Sequence, residues 1–104
     1  MSRYKVRYLQ DALRDLEDMA SYFQFQLSNP AYAAKLREKI VRSVTRLGAM
    51  PFMGSPLRAR HPVETDLRFL VVEKYLIFYR VTGETVEVTR IINGRTDYLS
   101  TLVL

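Results

Sequence analysis

The residues in this 104-residue chain best suited to chemistry are arginines in its C-terminal half. Arg68 alternates with Leu67 and Phe69 on a predicted strand. A guanidinium held on a sheet can grip a phosphate with two parallel hydrogen bonds and stabilise negative charge as it develops. The competing reading is an arginine facing solvent or paired with an acid. Arg80 and Arg90 fall on neighbouring predicted strands. By simple alternation Arg90 shares a face with Val86, Val88 and Ile92, so a charge interrupts an apolar face and needs either a partner or a site. Its long stem also allows it to reach water from the sheet edge. Arg95 follows Asn93-Gly94 at the end of the last strand. Tyr98, three positions on, has a ring that can stack on a base and a hydroxyl that can move a proton. Burial of that ring against the sheet is the plainer role.

A second group is cationic. Lys35, Lys39, Arg42 and Arg46 recur at steps of four, three and four, which places them on one face of a predicted helix; Arg37 lies beside them. Such a stripe can follow RNA, DNA or an acidic protein, or can simply be a solvated surface. His61, the single histidine, sits in a proline-rich loop and reads as incidental despite its aptness for acid–base work. No metal site is indicated, since one histidine, no cysteine and no spaced carboxylate cluster give no ligand set. The Asp11, Asp15, Glu17, Asp18 group suits the start of a helix, where the backbone dipole favours negative charge. The four glycines are scattered and form no phosphate-cradling motif. No cofactor is expected.

The elements that must position these residues follow from periodicity. Arg3 to Tyr8 alternates basic and bulky residues and predicts a strand. Ala12, Leu16, Met19, Phe23 and Leu27 recur at helical spacing, widened by Leu13 and Ala20. Ser28-Asn29-Pro30 breaks that helix and starts another, with Asn29 as cap and Pro30 at the first position. Ala33, Leu36, Ile40, Val44 and Leu47 give the second stripe. So short a connection makes an antiparallel helical hairpin. Gly48 and Pro51 end it. Met50 to Pro62 has no period and is expected to be the most mobile loop. Leu67 to Val72, Tyr75 to Val81 and Thr85 to Ile92 are rich in β-branched and aromatic residues, with turns at Glu73-Lys74 and Thr82-Gly83-Glu84. Asp97 is placed to cap a short closing helix through Leu102. The order is β-α-α-β-β-β. The expected fold is a single α+β domain over 1–104, with the hairpin packed on a mostly antiparallel four-stranded sheet.

Bulk properties narrow the partners. At 48% hydrophobic and 26% charged the chain can bury one core rather than remain disordered. A net charge of +5 favours nucleic acid, the ribosome or an acidic peptide. The absence of cysteine excludes disulfides and suits a reducing compartment. No stretch has the length and apolarity of a signal peptide or a membrane span, so a cytoplasmic protein with no membrane partner is expected.

In this order the strand, the long helical hairpin, the loop PFMGSPL (Pro51 to Leu57), and a meander holding YLIFYRV (Tyr75 to Val81) and VEVTRIINGRTDY (Val86 to Tyr98) resemble the RelE/ParE superfamily. The likeness runs from about residue 3 to residue 102. The helix length and the Met53-Gly54 turn are closer to ParE than to RelE. The resemblance implies the growth-arresting toxin of a type II toxin–antitoxin pair, held inactive by a cognate antitoxin and touching operator DNA only through it. ParE-like members inhibit DNA gyrase. RelE-like members cut messenger RNA on the ribosome. In the latter case Arg95 matches the region of a catalytic arginine, and Arg68, Arg90, Arg95 and Tyr98 would surround the phosphate while the RNA 2′-hydroxyl attacks. The His-Tyr ending of some nuclease members is replaced here by Thr96-Asp97-Tyr98. The residues leave open whether the chain is an enzyme. A plain protein-binding module or a toxin that has lost its activity is the third alternative. The basic set Lys35, Lys39, Arg42, Arg46 and Arg80 is the candidate nucleic-acid or partner-binding surface.

Overall fold

The structure is a computed structural model that describes residues 3–102. The outer two residues at each end of the expected 1–104 domain therefore lie outside the description. The chain runs β1 (Lys5–Tyr8), α1 (Gln10–Ser21), a π-helical turn (Tyr22–Gln26), α2 (Pro30–Arg46), β2 (Ser55–Pro56), a 3-10 turn (Leu57–Ala59), β3 (Arg68–Val72), β4 (Tyr75–Thr82), β5 (Thr85–Asn93) and α3 (Tyr98–Leu102). The sheet order is β1-β5-β4-β3-β2. β1 is parallel to β5 and the other pairings are antiparallel.

The expected α+β class holds, but the sheet has five strands instead of four. The added strand is Ser55–Pro56, paired with Arg68 and Phe69. Two residues carry no alternation to read, and Pro56 is tolerated because β2 is an edge strand. The loop from Met50 to Pro62 is accordingly built rather than irregular. Leu57 within it is fully buried.

Helix α2 begins as its sequence dictates. Pro30 occupies the first turn and the Asn29 side chain accepts from the Tyr32 N–H. Helix α1 stops earlier than its apolar spacing predicts. From Tyr22 the backbone widens to a π turn, and the Leu27 N–H donates to the Tyr22 carbonyl five residues back. The wider turn rotates Leu27 out of the stripe formed by Leu16 and Met19, and leaves it exposed.

Both faces of the sheet are covered. On one, Leu16 and Met19 of α1 and Leu36, Ile40 and Val44 of α2 pack on Ile77, Tyr79, Val86, Val88 and Ile91. On the other, Phe69, Leu76, Phe78 and Ile92 lie under Leu57, Leu67 and the partly buried Tyr98, Leu99 and Leu102. Burial on both sides is why Leu76–Tyr79 forms an unbroken buried run in β4.

A β-bulge breaks the alternation of β5. Phe78 lies opposite Arg90 while the next residue, Tyr79, lies opposite Val88, so Thr89 is extra. Arg90 therefore does not share a face with Val86 and Val88, contrary to the simple alternation of the sequence. Ile91 takes the helix-side position, opposite Ile77.

Candidate functional site

The bulge that displaces Arg90 also places it beside α1. Its Nε and Nη2 donate to the two Asp15 carboxylate oxygens at 2.7 and 2.9 Å. The same carboxylate accepts from the Ile91 backbone N–H at 2.9 Å. The side chains of Arg90 and Asp15 are 27% and 15% exposed, respectively, so water screens the pair only in part. The Asp15 hydrogen bonds hold the Arg90 guanidinium above its ordinary value. Asp15 thus does more than favour a helix start, the role its sequence position suggested.

Arg68 is engaged with main chain. Its Nη2 donates to the Phe52 carbonyl at 3.0 Å and to the Gly54 carbonyl at 2.7 Å. Its guanidinium lies over the Phe52 ring, 5.3 Å from the centroid. The Gly54 N–H in turn donates to the Tyr79 hydroxyl at 2.9 Å. A Cβ at Gly54 would sit 2.6 Å from the Phe69 carbonyl oxygen and 2.7 Å from that hydroxyl, so only glycine fits. Arg68 and Tyr79, opposite each other on β3 and β4, hold the PFMG turn from two sides.

Arg80 faces Asp66 at 3.4 Å. It lines the same shallow cleft as Arg90, with Thr89 and Leu102. Arg68 lines a separate cleft beside Arg58 and Asp66. Arg95 is exposed, and among the described residues its side chain makes no hydrogen bond or ion pair; its backbone N–H donates to the Asn93 side chain. The structure therefore brings Arg80 near Arg90 but does not gather Arg68, Arg90, Arg95 and Tyr98 around one point.

Tyr98 has a partner that sequence reading set aside. Its hydroxyl lies 2.7 Å from His61 Nε2, and its ring packs 5.5 Å from that of Phe78. The loop carrying His61 folds over the sheet face that α3 also covers. His61 borders an open cavity of about 860 Å³ that it shares with Arg58, Glu64, Thr65 and Asp66. A histidine–tyrosine pair can relay a proton. Nothing in the sequence pattern links residues 37 positions apart; only the fold joins them.

The basic stripe on α2 is partly neutralised. Lys39 Nζ is 2.5 Å from Glu73, and Arg42 pairs with Glu38 one turn earlier. Lys35 and Arg46 are exposed and make no ion pair among the described residues. Among the same residues no group of three His, Cys, Asp or Glu side chains could hold a metal, and no helix is long and apolar enough to cross a membrane.

The arrangement is a helical hairpin on one sheet face with a short C-terminal helix and loop on the other. The profile of the ParE toxin of the type II toxin–antitoxin system parDE matches residues 6–98. The chain belongs to that family, within the RelE/ParE superfamily of type II toxins. Among solved structures it is similar to a chain of the chromosomal ParDE toxin–antitoxin system from P. aeruginosa, with 23% identity over 88% of this chain and 96% of that one and a TM-score of 0.72. It is also similar to a chain of the toxin–antitoxin complex RelBE2 from Mycobacterium tuberculosis, with 24% identity over 88% of this chain and 98% of that one and a TM-score of 0.62. At these identities the likeness establishes the shared fold. No curated protein matches.

Proposed function

We propose that this toxin arrests growth without cutting RNA, by ParE-like inhibition of DNA gyrase, and that a cognate antitoxin neutralises it in the cytoplasm. The observation that carries this reading is how the arginines are employed. A nuclease needs cations free to meet a phosphate. Here Arg68 is bonded to the Phe52 and Gly54 carbonyls, Arg90 to Asp15, and Arg80 faces Asp66. For Arg68 and Arg90 these are structural duties; Arg80 meets only an exposed acid, and Arg95 is the one of the four with no side-chain partner among the described residues. The family match supports the same direction. Both solved relatives are components of toxin–antitoxin systems, which supports an antitoxin partner for this chain. The exposed cations Lys35 and Arg46 suit an acidic segment of that partner.

A second reading, ribosome-dependent messenger cleavage, has one observation in its favour: the His61–Tyr98 pair beside an open cavity that also holds Arg58. The two separate on induction of the toxin without its antitoxin, with DNA and protein synthesis labelled in parallel. Gyrase inhibition predicts DNA damage and falling DNA synthesis while translation continues. Immediate collapse of translation with intact DNA supports cleavage instead. Growth unaffected by strong expression removes both in favour of a binding module.

A further inference from the structure

Apart from the buried Ala33 and the partly buried Phe23, the tip of the helical hairpin lies outside the core. Residues 21–34 contain no charged side chain, in a chain that is 26% charged overall. Tyr22, Phe25 and Leu27 are 51%, 71% and 52% exposed, and Tyr32 close by is exposed as well. The π turn at Tyr22–Gln26 creates this surface, since an uninterrupted α-helix would have directed Leu27 onto the stripe that packs on the sheet. Next to the turn lies an open groove of about 380 Å³, lined by Asp18, Ser21, Tyr22, Phe25 and Gln26. Contiguous exposed aromatic and aliphatic side chains of this kind mark an association surface.

The geometry points to a second copy of this chain as the occupant, the two hairpin tips packing about a two-fold axis in the free toxin. Charge decides among the possible partners. The chain carries a net +5, so two copies repel over most of their surface; the uncharged tip is where they can meet without opposing like charges. A two-fold interface sets each residue near its own copy or near a complementary one. The tip is flanked by Asp18 at the end of α1 and Lys35 near the start of α2, both exposed and neither in an ion pair among the described residues. An antiparallel two-fold brings the Asp18 of one copy to the Lys35 of the other, twice. The aromatic rings of one tip then seat in the groove of its partner. Binding of this sort rests on a small aromatic centre rather than on total area. It is independent of which machine the toxin blocks.

The test is sedimentation of the purified full-length chain over a wide concentration series, with circular dichroism to verify folding. The wild-type chain is expected to reach twice the monomer mass. Phe25→Glu sets two carboxylates near the axis and should weaken association by about tenfold or more. Because Phe25 is exposed, this variant should keep its fold. Asp18→Lys should weaken association as well, and adding Lys35→Asp should restore it. A chain that stays monomeric at every concentration overturns the proposal. So does a dimer indifferent to Phe25→Glu, or one that the paired charge reversal fails to rescue. A monomeric chain whose toxicity Phe25→Glu nevertheless abolishes assigns the tip to a different protein, which also overturns it.

Discussion

Asp15 governs the contact between α1 and β5. Its carboxylate accepts from the Arg90 guanidinium twice and from the Ile91 N–H at the bulge. Removing it strands a half-buried cation and a backbone donor together. Asp15→Ala should therefore lower unfolding free energy by about 2–3 kcal/mol in chemical denaturation. Arg95→Ala, at an exposed turn with no side-chain partner among the described residues, should change it by less than about 0.5 kcal/mol. Toxicity that survives Arg95→Ala unchanged agrees with gyrase inhibition; a folded Arg95→Ala protein that has lost toxicity favours RNA cleavage. The need for a partner at Arg90 was legible in the sequence, although the face assigned to it there was not the one it occupies. Which residue meets that need was not legible, because the bulge at Thr89 changes the parity of the strand and the partner lies 75 positions away. His61 shows the same limit from the other side. A lone histidine in a loop carries no periodic signal, and its tyrosine partner becomes adjacent only once the loop and α3 cover one sheet face.

At the scale of elements, the hairpin, the meander and the closing helix follow from periodicity and turn residues, whereas the short strand β2 and the π turn do not. Gly54 is the hinge of the first of these. Gly54→Ala would press a methyl group into the Phe69 carbonyl and the Tyr79 hydroxyl, and should cost about 2–3 kcal/mol in thermal or chemical unfolding. The Lys39–Glu73 pair ties α2 to the β3–β4 turn, where Glu73 adopts a positive φ of 54°. The Lys39 hydrogen bond holds the Glu73 carboxyl below its ordinary 4.5. The Glu73 hydrogen bond holds the Lys39 ammonium above its ordinary 10.5. A lowered carboxylate contributes stability above its unfolded value and loses it as pH falls through the folded one. A raised ammonium contributes below its unfolded value and loses it as pH rises through the folded one. The stability difference between wild type and Glu73→Gln should therefore be flat between 4.5 and 10.5 and shrink outside that window on both sides. Both groups are exposed, so the plateau should also fall with added salt. A difference that persists well below the window, or ignores salt, contradicts this role.

At the scale of the molecule, a sheet covered on both faces leaves its cations to act either as internal ties or as surface. Arg68 and Arg90 are ties and Lys35, Arg46 and Arg95 are surface, and the proposed reading of a toxin that binds its target rather than cutting RNA rests on that division. The family was legible in the ordered combination of elements, which no single motif carried. Which arginines remain free was not legible, because bulge register and loop packing decide it. The most direct measurement is supercoiling of relaxed plasmid by purified DNA gyrase with increasing amounts of the purified toxin, with and without its antitoxin. Loss of supercoiling that the antitoxin reverses is the expected result. Undiminished supercoiling at toxin concentrations that cleave ribosome-bound messenger would contradict it.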